Sequence, residues 1–221
     1  MTAARILSMI IGYLFGLFTT GYFYAKHMHV DIRSMGSGNI GTTNTFRTLG
    51  KKAGILVFLG DGFKGVFAVL LVWLLFRERY PDGIKILEAY AGLGAVLGHN
   101  FPVHLKFKGG KGIATTAGMM LAFCPWAVPV CLLLFVLSIF VKRYVSVGSL
   151  LVCIGFFIQT VVFGQNGILG APSFTLTEIY IVVGIVCVLG LIRHQSNIRR
   201  LLSGTENKVF VQDGQEEHQK S

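Results

Sequence analysis

Three stretches of this chain combine residues suited to holding an anion. The first is Gly36-Ser37-Gly38-Asn39-Ile40-Gly41-Thr42-Thr43-Asn44, with Arg47 and Gly50 close behind. Glycines let backbone N–H groups approach a phosphate, Ser, Thr and Asn add neutral donors, and Arg47 offers a bidentate charge. A flexible turn between helices would use the same composition, and the spacing matches neither a Walker loop nor a dinucleotide fingerprint. The second is Lys106-Phe107-Lys108-Gly109-Gly110-Lys111-Gly112, which runs into an apolar stretch at Ile113. If that stretch is helical, the loop stands at a helix N-terminus, where unpaired N–H groups and the macrodipole favour an anion. Ordinary anchoring on the basic side of a membrane explains the lysines but not the interleaved glycines. The third is Arg193-His194-Gln195-Ser196-Asn197-Ile198-Arg199-Arg200. On a continuing helix His194 and Asn197 share a face at i and i+3, with Arg193 and Arg200 beside them. The alternative for His194 is a solvated interfacial side chain.

Other polar residues narrow the chemistry. Asp61 and Lys64 lie three residues apart inside an apolar run, where ions are costly and either mark function or fix helix packing as a buried pair. His99 and Asn100 precede Phe101-Pro102, a helix exit because proline biases the preceding residue away from helix, where His99 either caps or braces the loop or contacts substrate. Carboxylates near the three stretches are few, namely Asp31, Asp61 and Glu206. The chain therefore offers neither a carboxylate-rich metal cage nor a paired-carboxylate acid/base site, and neither metal nor cofactor is expected. Ser37 and His194 are not joined by a nucleophile elbow.

The elements that must position these residues are membrane helices. With 53% hydrophobic and 14% charged residues, the chain falls outside the soluble class. Apolar runs lie near residues 4–25, 53–76, 85–103, 113–141, 145–163 and 175–192. Each approaches the roughly 20 residues that a helix needs to cross the bilayer. The fourth is too long and contains Pro125 and Pro129, so it splits near Cys124-Pro125-Trp126. The expected fold is an all-α integral membrane protein of seven transmembrane helices. Basic residues accumulate on the cytoplasmic side. Seven crossings put fifteen of the 20 Lys and Arg on one side and four on the other, with Lys64 within a span. The N-terminus is then external and the C-terminus cytoplasmic, and all three anion-suited stretches emerge together. A cleaved signal peptide is the alternative for the first run, but no small-x-small cleavage site precedes Lys26. Residues 1–206 form a single membrane-embedded domain in this reading, and 207–221 a polar cytoplasmic tail expected to be disordered. The net charge of +10 reads as this topological bias, and no nucleic-acid partner is expected. Cys124, Cys131, Cys153 and Cys187 lie in apolar segments without ligand-like spacing and read as small hydrophobes.

Four stretches, GSGNIGTTNTFRTLG, DGFKG, GHNFPVHLKFKGGKG and RHQSNIRRLLSGTE, occur in one order over residues 31–206. They resemble the bacterial acyl-phosphate:glycerol-3-phosphate acyltransferases, the PlsY family. The chain departs from the family pattern at Thr42, where Ala is expected, and at Leu17, where a small polar residue is expected. The resemblance implies a monomeric enzyme of the bacterial inner membrane with its site facing the cytoplasm. Such an enzyme moves a fatty acyl group from acyl phosphate to the 1-hydroxyl of sn-glycerol 3-phosphate, giving lysophosphatidic acid and phosphate. It implies Ser37, Lys111, His194 and Asn197 as catalytic residues. Substrate would be held by Gly36, Gly38, Asn39, Thr43, Asn44, Arg47, Lys108, Gly109, Gly110, Gly112 and Arg193. An acyl phosphate is already activated, so positioning and charge neutralisation suffice for direct attack, with His194 or a substrate phosphate taking the proton. Two other readings use the same residues: a phosphate or organic-phosphate carrier with Asp61 and Lys64 along its path, and a scaffold for anionic membrane lipid.

Overall fold

The computed structural model describes residues 1–208, and among them the chain is helical with no strand. The helices are α1 (Thr2–Leu17), α2 (Thr20–His27), α3 (Thr42–Thr48), α4 (Gly50–Phe76) and α5 (Ile84–Asn100). They continue as α6 (Ile113–Phe123), α7 (Val128–Lys142), α8 (Val145–Gln165), α9 (Leu176–Arg193) and α10 (Gln195–Leu202). The disordered tail expected from Asn207 lies, beyond Lys208, outside the described residues.

Solvation is inverted relative to a water-soluble bundle. Leu14, Phe67, Leu74, Phe140, Val141 and Ile181 are exposed around the outside, as suits helices facing hydrocarbon. The interior is small and tight. A Cβ added at Gly12 or Gly16 of α1 would strike the Ala91 or Ala95 carbonyl of α5, and one added at Gly94 or Gly98 would strike the Met9 or Tyr13 carbonyl. Backbones that approach this closely need small residues, and in lipid such packing replaces the missing hydrophobic drive between helices. Gly65 and Gly118 do the same between α4 and α6.

Five helical segments are long and apolar enough to cross a membrane: Thr2–His27, Gly50–Phe76, Pro125–Lys142, Val145–Gln165 and Ser173–Arg193. The runs expected at 53–76, 85–103, 145–163 and 175–192 each become one helix. The fourth run divides where its proline requires. The α6 helix ends at Phe123, Pro125–Ala127 forms a turn, and α7 follows. The halves are unequal, because α6 has only 11 residues and α7 has 15.

The first run holds a break that hydropathy did not signal. Phe18 and Thr19 are extended (ψ 91° and 93°), so α1 stops and α2 starts anew. The cause lies on α4. Lys64 Nζ donates to the Phe18 carbonyl at 2.9 Å and the Gly16 carbonyl at 3.3 Å, while Asp61 Oδ1 accepts from the Thr20 amide at 3.2 Å. A cation thus serves the carbonyl end of one helix and a carboxylate the amide end of the next, both favourable to the helix dipoles. The α6–α7 break is served likewise. Lys85 Nζ donates to the Phe123 carbonyl at 2.9 Å and pairs with Glu88 at 2.8 Å.

Candidate active site

One cleft, about 880 Å³ out to its open mouth, is lined from all three anion-suited stretches. Ser37, Asn39, Thr42, Thr43, Asn44 and Arg47 come from the first, Lys111 and Gly112 from the second, and His194, Asn197 and Arg200 from the third. Each sits at an element end. Ser37 and Asn39 lie in the loop before α3, Arg47 lies in the last turn of α3, Lys111 precedes α6, and His194 joins α9 to α10. Phe58, Ile113, Phe135 and Val145 add apolar lining, so the cleft presents both polar and lipid-like surface.

The central contact is between Lys111 Nζ, which donates, and Asn197 Oδ1. Asn197 Nδ2 in turn donates to Glu206 Oε1 at 2.8 Å. Glu206 also accepts from Arg200 Nε at 2.7 Å and from Ser146 Oγ at 3.2 Å. Lys111 is therefore aimed by an amide whose orientation a buried carboxylate fixes. Burial pushes the Lys111 ammonium down to about 8; Glu206 opposes that shift, while Arg200, Arg193 and Arg47 add to it. His194 is pushed down to about 4, first by burial and then by the charge of Lys111, so it is neutral at pH 7. Its Nδ1 lies 2.7 Å from the Gly190 carbonyl. A neutral ring must donate there, which leaves the Nε2 lone pair available.

Not every expected site residue faces the cleft. Gly36 and Gly38 shape the first loop, with φ of +55° and +69°. Asn44 lines the cleft but uses its amide on that loop, accepting from the Ser37 N–H at 2.8 Å and donating to the Met35 carbonyl at 3.0 Å. The N–H groups of Gly109 and Gly110 donate to the Asn100 and His99 carbonyls, each at 3.1 Å, so they are not offered to a phosphate. Their carbonyls accept from Arg193 at 2.8 and 3.0 Å, which makes Arg193 a brace for the loop. Arg193 also borders a second, open cavity with Asn39, Phe101 and Lys111. Lys108 is exposed and lies outside the cleft. Gly112, at φ +82°, is the N-cap of α6 and lines the cleft. Among the described residues no group of three His, Cys, Asp or Glu side chains comes together to hold a metal.

The cleft is also lined by Asp61, His99, Ser146, Ser149 and Glu206, which sequence reasoning had not placed in the site. Glu206 carried one signal, being a lone carboxylate beside Arg193, Arg199 and Arg200. The serines carried none, because two hydroxyls at the start of an apolar helix are commonplace.

Taken together, fold and cleft define a helical integral membrane protein whose cationic, anion-ready site opens at one end of the bundle and is partly lined by apolar side chains. The chain belongs to the glycerol-3-phosphate acyltransferase family, whose model matches residues 6–204. A glycerol-3-phosphate acyltransferase of Clostridioides difficile (strain 630) is 41% identical over 208 residues, covering 92% of this chain and 95% of its own. Another, of Halalkalibacterium halodurans, is 43% identical over 203 residues, with coverage of 91% and 94%. The crystal structure of PlsY, an integral membrane glycerol 3-phosphate acyltransferase, is similar throughout. Its glycerol 3-phosphate form gives a TM-score of 0.81 at 36% identity, over 93% of this chain and 95% of that one. Its lysophosphatidic acid form gives 0.78, again at 36% identity, over 92% and 94%.

Proposed function

We propose that the protein transfers a fatty acyl group from acyl phosphate to the 1-hydroxyl of sn-glycerol 3-phosphate, releasing lysophosphatidic acid and inorganic phosphate. The observation that carries this reading is the meeting of Arg47, Lys111 and neutral His194 in one cleft that also has apolar lining. Two substrates each bring a phosphate, and one brings a hydrocarbon chain; the cleft offers cations from two loops and apolar lining from Phe58, Ile113, Phe135 and Val145. That a related enzyme has been crystallised with glycerol 3-phosphate and with lysophosphatidic acid supports the same substrate and product here.

The chemistry follows from the charges. The acceptor oxygen attacks the acyl carbonyl carbon, the carbon–oxygen bond to phosphate breaks, and phosphate departs with that electron pair. Lys111 and Arg47 neutralise phosphate charge, and Ser37 and the α6 N-terminus behind Gly112 line the cleft and supply donors for developing negative charge. His194 Nε2 accepts the hydrogen bond of the attacking hydroxyl and orients it. A group that gains a proton only near pH 4 is a poor final acceptor, so the proton passes to a substrate phosphate, whose second pKa is about 6. No acyl-enzyme is required. The proposed topology has seven passes with the cleft at the cytoplasmic surface of the bacterial inner membrane, the side to which fifteen of the 20 Lys and Arg are assigned. Helices α1, α5 and α9 run towards the cleft, while α4, α6 and α8 begin beside it.

The test is purified protein with long-chain acyl phosphate and glycerol 3-phosphate alone, followed for lysophosphatidic acid and phosphate, with acyl-CoA as the inactive control. Turnover with acyl-CoA but not acyl phosphate would refute the donor assignment. Radiolabelled acyl trapped on the protein would refute direct attack.

A further inference from the structure

The charge pair Asp61–Lys64 is more than a helix staple, because it touches the supports of both anion-facing loops. We propose that Asp61 and Lys64 act with His99 as positioning residues for the transfer reaction, fixing α2 against the first loop and the His99 imidazole against the second. The inference rests on the acyl-transfer reading above.

Both side chains are almost wholly buried, and their ion pair measures 2.9 Å. On one side, Asp61 Oδ1 holds the start of α2 through the Thr20 amide at 3.2 Å and its hydroxyl at 3.1 Å. One residue on, α2 meets the first loop backbone to backbone: a Cβ added at Gly21 would strike the Ile40 carbonyl. Where α2 sits therefore decides where Ser37 to Asn44 sit. On the other side, Lys64 Nζ lies 2.7 Å from His99 Nδ1. An ammonium can only donate, so Nδ1 is the acceptor and the ring proton is on Nε2. That Nε2 edge faces Gly110, where an added Cβ would strike it, and the His99 carbonyl accepts the Gly110 N–H at 3.1 Å. Lys111 is the next residue.

Lys64 has three N–H groups and four oxygen or nitrogen neighbours, so no direction is free for the ammonium to swing. Removing the pair releases α2 and His99 at once, and with them both loops that carry cleft cations. Displacements of about 1 Å at a reacting centre cost on the order of a hundredfold in rate.

The experiment uses the full chain purified in detergent, wild type against the charge-neutral double variant Asp61→Asn/Lys64→Met, which leaves no lone buried ion. Two quantities are read on folded protein: kcat for acyl transfer, and the pH midpoint of reductive methylation of Lys111, followed by mass spectrometry. Wild-type Lys111, facing Glu206, Arg200, Arg193, Arg47 and His194, should show a midpoint near 8. In the double variant kcat should fall at least tenfold and the midpoint should rise towards that of an ordinary lysine as the loop loosens. A folded variant that keeps wild-type kcat, or an unmoved Lys111 midpoint, overturns the proposal. Should the double variant fail to fold, Lys64→Arg, which keeps the charge but not the point geometry, is judged by the same two numbers. A wild type inactive towards acyl phosphate would refute the transfer reading, and the methylation midpoint would still decide the positioning claim.

Discussion

Lys111 sits where burial and charge oppose one another. Its ammonium, pushed down to about 8, is charged below that pH and neutral above it. The phosphate of glycerol 3-phosphate stays dianionic across the same range. Apparent KM for glycerol 3-phosphate should therefore rise roughly tenfold between pH 7 and pH 9, one pH unit to either side of that midpoint. Lys111→Arg should flatten that rise, because a guanidinium keeps its charge; a steady-state pH series on both proteins measures it. Lys111→Ala should lower kcat/KM by a factor on the order of a hundred or more. Asn197→Ala removes the acceptor that aims Lys111 and a donor to buried Glu206, so it should cost about 1–3 kcal/mol of stability as well as rate. Thermal unfolding in detergent beside turnover separates the two effects.

At the scale of elements, the seam between α1 and α5 tolerates no side chain. Gly16 and Gly98 face each other there, and either added Cβ would meet backbone. Gly98→Leu should destabilise by at least about 1–3 kcal/mol, the usual cost of overpacking, while Leu14→Ala on the exposed face of α1 should change stability little. Melting of the two variants side by side is the check. These seams were legible only in part. Hydropathy and Pro125 located the main apolar runs and the α6–α7 break, because those signals are local. The break at Phe18–Thr19 was not legible, since its cause, Lys64 and Asp61, lies more than 40 residues away on α4. The same distance effect explains the second loop. The family resemblance implied that Gly109 and Gly110 hold substrate, yet their N–H groups are claimed by α5, and the glycines fit against His99 and Arg193.

For the molecule as a whole, the basic bias and the order of the motifs already implied that three distant segments meet, and Ser37, Lys111 and His194 do line one cleft. What the bias left open was which of those residues would face inward. The proposed topology is tested by single cysteines. Ser37→Cys and Lys108→Cys should react with an impermeant reagent from one side of sealed vesicles and Arg77→Cys from the other. The four native cysteines are buried and should give little background. Labelling of Ser37→Cys and Lys108→Cys from opposite sides would dismantle the shared site.

The brevity of α6 has a consequence of its own. Eleven residues rise only about 16 Å, roughly half the hydrocarbon thickness, yet ions stand at both ends: Lys111 before it, Lys85 and Glu88 at its close. Flanked by the longer α4 and by α5, the stub need not span the lipid itself. Its head can lie sunk in a dimple, level with the upper carbons of a fatty tail. In the proposed reaction, a donor dissolved in the leaflet would then present its carbonyl by sliding in sideways, without first being lifted into water.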